Sequence, residues 1–337
     1  MIAEARHLFT GKLTRIHVKR RIVDASYTNL TVPAMAQRGY TADSDVALVP
    51  INDLPHLKWM PERFTVVGAG KTGIDACVWL LSRGVAPDRV TWIVPREPWV
   101  VNRTVGVATD GNVSALLELL QADSAQAVIE AVESWHLIQR RDPDVSPEAF
   151  RCASTNDQEL NYLRQIHDVV RLGRVRHIGA DAIELDRGTV EAHPETLYVD
   201  CSADGLRQQP TVPVFDGNRI TIQPLVQCLL SISGAVTGHL EAQDLSDAER
   251  NDLCRPVPHP RVPLDVVEFF RSRADVLARW MSTDVLSEWL AGSRLNPSVP
   301  GTAEARDPEV RREMGRLAEH LGALMQAAAH EPAVVRL

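Results

Sequence analysis

The chain has 337 residues, 45% of them hydrophobic and 24% charged, with a formal net charge of −8. That balance is ordinary for a globular protein of one large or two smaller α/β domains. It excludes a general nucleic-acid binder, because counterion release needs clustered positive charge.

In chain order, LTRIHVK (13–19) alternates apolar and polar residues and predicts a half-buried strand. RIVDASY and DVALVP (45–50) add two short strands, with TVPAMAQRGY between them as a loop. PINDLPHLKWMPER carries three prolines and reads as a linker into a buried strand at 64–67. Ile74, Cys77, Val78 and Leu81 then form one apolar helical stripe, which Gly84 closes, and RVTWIV (89–94) is the next buried strand. Helical patterns follow at 113–137 and around 157–171. VRHI, AIEL, TVEA and TLYVDC in 175–201 are short strands, and RITIQ (219–223) is another. From 264 the chain is mostly helical, with VVEFFRSRADVLARWM, DVLSEWLAG and a last helix near 308–328, the final two joined by a linker at 297–309. Val267, Phe270, Val276, Leu277 and Trp280 are a core face of those helices.

The motif with chemical content is VVGAGKTGIDACVWLL. Gly68, Gly70 and Gly73 make G-x-G-x-x-G between a strand and a helix, inside a β-α-β unit of the usual span. The first glycine permits a tight turn, the second lets backbone approach a pyrophosphate, and the third lets helix and strand pack closely. The helix N-terminus adds free N–H groups and partial positive charge. Gly68, Ala69, Gly70, Lys71, Thr72 and Gly73 are therefore candidate nucleotide-binding residues. An NAD site would need Asp or Glu at the end of the second strand, but Val94, Pro95 and Arg96 stand there and Glu97 comes late. Arg96 suits a 2′-phosphate, so the expected cofactor is NADP(H).

Three stretches resemble the flavin-dependent monooxygenase type of FAD/NAD(P)-binding oxidoreductase. VVGAGKTGIDACVWLL is similar to that family's second, NADP-binding fingerprint, and VTWIVPREPW to the strand with its 2′-phosphate arginine. YVDCSADG (198–205) resembles the later D-x-x-x-A-T-G turn, with Asp204 in place of the threonine. The resemblance spans about residues 10–235 and adds Ser202, Ala203 and Asp204 to the candidate site. It implies an α/β fold with a Rossmann-type NADP-binding domain at 61–205. A strand-rich remainder of a flavin domain would lie at 1–60, and a return segment with C-terminal helices at 206–337. In the family an earlier glycine fingerprint holds FAD. This sequence has none, so FAD is implied by resemblance only, and the chain resembles a member without its first flavin-binding portion. A separate flavin-carrying chain or a homo-oligomer is then the implied partner, beside a small-molecule substrate.

Rival readings are a flavin-free NADP-dependent dehydrogenase and a non-catalytic nucleotide-binding or partner-binding module. No tyrosine has lysine four residues later, which argues against a short-chain dehydrogenase. His167 and His177 are weak candidates for a hydride enzyme, and Cys201 for covalent catalysis; no catalytic residue is assigned. No G-x-S-x-G elbow and no paired metal-ligand spacing occurs. Cys77, Cys152, Cys201, Cys228 and Cys254 read as scattered reduced thiols. Only four lysines, Lys12, Lys19, Lys58 and Lys71, leave arginine as nearly the whole positive charge, a bias ascribed to base composition. No apolar run reaches the ~18–20 residues of a membrane span. The N-terminus lacks a signal-peptide core, so a cytoplasmic protein without membrane contact is expected.

Overall fold

The computed structural model describes residues 1–104, 117–206, 209–226, 228–295 and 307–330. In chain order the strands are β1 Ile2–Arg6, β2 Leu13–His17, β3 Ile22–Asp24, β4 Thr41–Ala42, β5 Leu48–Pro50, β6 Arg63–Val67, β7 Val90–Ile93, β8 Pro98–Asn102, β9 Ile138–Gln139, β10 Ala149–Thr155, β11 Val169–Val170, β12 Val175–Ile178, β13 Ala182–Leu185, β14 Gly188–Glu191, β15 Thr196–Asp200, β16 Phe215–Asp216 and β17 Arg219–Thr221. The helices are α1 Lys71–Ser82, α2 Ala125–Ser134, α3 Asp157–Arg164, α4 Leu230–Glu241, α5 Asp247–Leu253, α6 Asp265–Trp280, α7 Asp284–Gly292 and α8 Pro308–His330.

The fold is mixed α/β around a parallel sheet in the order β11-β7-β6-β15-β5. Parallel strands covered on both faces read as continuous apolar runs. Phe64–Val67, Val90–Ile93 and Thr196–Asp200 are accordingly buried at every position. α1 lies on this sheet through Ile74, Cys77, Leu80 and Leu81, in a core shared with Phe64, Val66, Trp92 and Leu197. Gly84, at φ 85°, ends it, its N–H donating to the Leu81 carbonyl at 3.0 Å.

Between β7 and β11 the chain builds a second sheet, β10-β8-β9, which the C-terminal helices cover. Val267, Phe270 and Leu277 of α6 share a core with Trp99, Phe150, Val128 and, from α8, Met314, Leu317 and Leu321. Val276 and Trp280 face the other way, into a core with Val236, Leu253 and Leu286. The expected core face is real but splits between two cores. The helix expected over 113–137 reduces, within the described residues, to α2 behind its Ser124 cap, preceded by a short 3-10 turn at Leu119–Gln121. Residues 113–116 and most of the 297–309 linker lie outside the described residues. The pattern around 157–171 is also shorter than expected: α3 ends at Arg164, and Val169–Val170 is a strand.

Residues 1–60 are woven into the rest. β3 pairs parallel with β17, β4 with β12 and β5 with β15. The proline-rich stretch contains a 3-10 turn, Ile51–His56, with Leu54 buried. The same region carries much exposed apolar surface: Leu8 is 93% exposed, Phe9 95%, Met35 85% and Met60 67%. Among the described residues no helix is long and apolar enough to cross a membrane.

Candidate functional site

The carboxyl ends of β6 and β15 open onto a cavity of about 530 Å³. This is the crevice where parallel α/β sheets usually hold ligands. Every candidate from the glycine turn except Gly73 lines it, as do Arg96, Ser202, Ala203 and Asp204.

The three glycines differ in what a side chain would meet. Gly68 has φ 118°, and a Cβ there would lie 2.5 Å from the Cys201 carbonyl oxygen. At Gly73 a Cβ would sit 2.0 Å from the Gly68 carbonyl oxygen, on the wall where α1 meets β6. Both positions are fixed by the fold itself. Gly70 is unlike them: its φ of −76° and ψ of −178° suit any residue, and a Cβ would touch nothing within 4 Å. Gly70 lines the cavity and is exposed, so a side chain there would project into open space. Gly70 is also the N-cap of α1, without a side-chain cap and with no acidic residue in the first turn. The N–H groups of Gly70, Lys71 and Thr72 have no acceptor among the described residues. That end of the helix can receive an anion. The Lys71 ammonium pairs with Asp75 one turn along its own helix.

The turn is held from below. The Trp92 indole N–H donates to the Gly68 carbonyl at 2.9 Å, and the Cys201 N–H to the Val67 carbonyl at 2.9 Å. Opposite, the Asp200 carboxylate accepts from the Ser202 N–H at 3.0 Å and the Ser202 hydroxyl at 2.6 Å, fixing the turn after β15. The Tyr40 hydroxyl lies beside that carboxylate, and burial together with the Asp200 charge pushes its pKa up. Burial likewise raises the pKa of the Cys201 thiol, with the nearby Asp200 charge adding to it, which disfavours the thiolate that attack would need.

Arg96 follows β7 and lines the cavity with Arg151, Arg174, Arg176 and Arg261. Burial lowers its pKa, and repulsion from Arg174, Arg151 and Arg261 adds to the effect; Asp204 alone opposes. Arg151 donates to Asp204 at 2.5 Å and to the Leu206 carbonyl at 3.0 Å, while Arg176 pairs with Asp186 at 2.5 Å. Arg96 and Arg174 make no side-chain hydrogen bond or ion pair among the described residues. A cationic cluster with one internal carboxylate is a phosphate receptor in chemical terms. Glu97 turns the other way. Its side chain is 2% exposed and pairs with Arg141 at 3.2 Å and Arg171 at 2.8 Å, so it offers nothing to a ribose.

The glycine turn and Arg96, expected from the sequence, line this cavity, whereas Arg151, Arg174, Arg176, Arg261 and Tyr40 line it without having been expected. The signal in the sequence is the excess of arginine over lysine: several of those arginines converge here from β10, β12 and the segment before α6. Residues 30–33 and Tyr40 also wall the cavity, so it draws on the 1–60 region as well as on 61–205. His167 is exposed, and His177 is held by Thr41 at 2.8 Å and Asp43 at 3.3 Å; neither lines the cavity. Among the described residues no group of three or more His, Cys, Asp or Glu is placed to hold a metal ion.

No family model matches the chain. It is 37% identical, over 330 residues and 93% of its length, to proteins of Mycobacterium bovis (strain ATCC BAA-935 / AF2122/97) and Mycobacterium tuberculosis (strains CDC 1551 / Oshkosh and ATCC 25618 / H37Rv), each described as uncharacterized. The aligned part is 61% of each of them, so the chain spans about three-fifths of the length of the curated relatives it matches.

Proposed function

We propose that the chain is the NADP(H)-binding portion of a flavin-dependent oxidoreductase of the monooxygenase type, with a Rossmann-type domain at its centre. The observation that carries the reading is Gly70. Nothing in the folded chain requires glycine there, and what its missing Cβ keeps clear is the approach to three free N–H groups at a helix N-terminus. A pyrophosphate fits that requirement.

On this reading the N–H groups of Gly70, Lys71 and Thr72 hold the pyrophosphate, and Arg96 with Arg174 meets the 2′-phosphate. Ser202, Ala203 and Asp204 wall the cavity opposite. Burial of Glu97 supports NADP(H) over NAD(H), since the acidic ribose acceptor of an NAD site has no counterpart on this turn. Bound NADPH would supply a hydride, and the flavin that accepts it would be carried outside these 337 residues, by another segment or chain. The exposed apolar surface of residues 1–60 supports such a neighbour.

A structure with NADP⁺ bound tests the assignment. Pyrophosphate at Gly70–Thr72 and the 2′-phosphate beside Arg96 are expected; a nucleotide anywhere else would overturn it. The visible spectrum after FAD is added and the excess removed tests the flavin half. A colourless chain fits a separate flavin carrier, and a retained flavin band would mean that this chain completes a flavin site itself. If nucleotide binds and no flavin-linked activity can be assembled, the nucleotide-binding module becomes the better description.

A further inference from the structure

We infer that Asp204 sets which ligands the large cavity accepts: its carboxylate is a resident anion that withholds Arg151 and Arg261 and leaves Arg96 and Arg174 for one phosphate group. The inference rests on the cavity taking a phosphate-bearing ligand, as proposed above, and not on that ligand being a dinucleotide.

The charges on the wall are lopsided. Five arginines, Arg96, Arg151, Arg174, Arg176 and Arg261, line the cavity, and among the described residues Asp204 is the only carboxylate that does. Two of the cationic groups are matched by carboxylates that do not line it, Lys71 by Asp75 and Arg176 by Asp186. Asp204 serves two more. Arg151 Nη2 donates to its Oδ1 at 2.5 Å, and Arg261 Nη2 lies 3.9 Å from its Oδ2. Arg96 and Arg174 are the pair left over, with no side-chain hydrogen bond or ion pair among the described residues.

The ion pair is not what holds these arginines in place. Arg151 stands on β10 and donates also to the Leu206 carbonyl at 3.0 Å. Arg261 is fixed through its backbone: its N–H donates to the Asp265 carboxylate at 2.5 Å, and its carbonyl accepts from the Phe150 N–H at 3.3 Å. Asp204 is held just as independently, on the turn after β15 that the Asp200 carboxylate fixes through Ser202. Its neighbour Gly205 is tied to the 1–60 region, accepting from the Thr31 N–H at 3.2 Å. Neutralising Asp204 therefore frees two guanidinium groups without moving the backbone that carries them.

A carboxylate at this place acts on an incoming anion in two ways. It repels the anion, and it occupies donors that phosphate oxygens would otherwise take in forked pairs. Arg151, Asp204 and Arg261 are all partly exposed, so their pairing is worth little to the fold. Its effect falls on the ligand instead. The Arg96–Arg174 pair balances one dianionic phosphate monoester, and a ligand with a further phosphate or carboxylate at this end has to displace Asp204. With Asp204 neutral, the same wall takes a second anionic group.

The test compares inorganic phosphate binding to the purified full chain and to Asp204→Asn, by isothermal titration calorimetry at fixed ionic strength. The amide keeps an acceptor for Arg151 and removes the charge. Phosphate should bind the variant about tenfold more tightly or better, because a full negative charge leaves the cavity wall. Adding Arg151→Ala to Asp204→Asn should cancel the gain. Asp204→Ser should shift the affinity the same way, with the Tm of each variant as the check on folding. In the wild type, a structure with phosphate bound decides the matter without any variant: phosphate on Arg96 and Arg174, with the Arg151–Asp204 pair kept, is expected. Equal or weaker phosphate binding by the folded variants, a gain that survives loss of Arg151, or phosphate seated on Arg151 with Asp204 displaced would overturn the inference. The nucleotide reading fails separately, through absent NADPH binding to the wild type, and leaves the phosphate comparison intact.

Discussion

Gly70→Ala separates the demands of a ligand from the demands of the fold. The added methyl meets no atom within 4 Å, and the backbone at φ −76°, ψ −178° accepts alanine without strain. Two small effects on stability then oppose each other. Reduced freedom of the unfolded chain favours alanine by about 0.4–1 kcal/mol. Loss of a good N-cap residue disfavours it by about half a kcal/mol or more. The net change should stay within about 0.5 kcal/mol, a shift in Tm of under about 2 °C for a chain of this size. Nucleotide binding should respond far more. A methyl on the side from which the pyrophosphate approaches would cost one charge-assisted hydrogen bond, about 1.5–3 kcal/mol, and raise the Kd about 10- to 100-fold. Gly73→Ala is the contrast. Its Cβ would overlap the Gly68 carbonyl oxygen at 2.0 Å, so it should cost about 1–3 kcal/mol of stability or more and lower Tm first. Thermal denaturation and NADPH titration by protein fluorescence read both quantities on the same samples. Unchanged NADPH affinity in folded Gly70→Ala would refute the argument that glycine is there for the ligand. So would a Tm loss as large as that of Gly73→Ala.

Arg96→Ala should weaken NADPH about tenfold or more, by loss of a charge-assisted contact, and change NADH little; equal losses for both would sink the 2′-phosphate assignment. Glu97→Ala should cost about 3 kcal/mol in urea denaturation because it removes the buried carboxylate between Arg141 and Arg171 and leaves the partly exposed Asp142 alone to face both, and a loss under about 1 kcal/mol would mean that Asp142 and solvent suffice for those guanidinium groups. Alkylation of Cys228 by iodoacetamide should persist as pH falls toward about 6, where an ordinary thiol is almost wholly protonated. The sign follows from a pKa lowered by Cys152 first and then by His259, whose Nδ1 lies 3.7 Å from the sulfur: the thiolate is present above about pH 6 and lost below it. A rate that rises from pH 7 to 9 as for a free thiol would contradict it.

The glycine turn is legible because its residues are determined locally. Strand, three spaced glycines and an apolar helical stripe leave few other arrangements for residues 64–84, and the buried strands at 90–93 and 196–200 follow from unbroken apolar runs. The direction of Glu97 was foreseen only as absence from the ribose position. Its pairing with Arg141 and Arg171, 44 and 74 residues on, has no local signature. The arginine cluster is of the same kind: Arg96, Arg151, Arg174 and Arg261 meet only through the sheet order, which periodicity does not encode. The slipped register of β10 and the positive φ of Cys152 are likewise not visible in the letters AFRCAST. The C-terminal helices were recognised as having a core face, but one stripe feeding two cores required the neighbours to be known.

If the cavity at the end of β6 takes a dinucleotide and distinguishes it by the 2′-phosphate, NADPH and NADH must bind it with different affinities. The most direct measurement is a parallel titration of the purified chain with NADPH and NADH at fixed ionic strength. Saturable binding of one NADPH per chain is expected, tighter than NADH by about tenfold or more, the worth of one charge-assisted phosphate contact. Equal affinities would contradict the role given to Arg96, and no binding of either nucleotide would contradict the reading of the glycine turn itself.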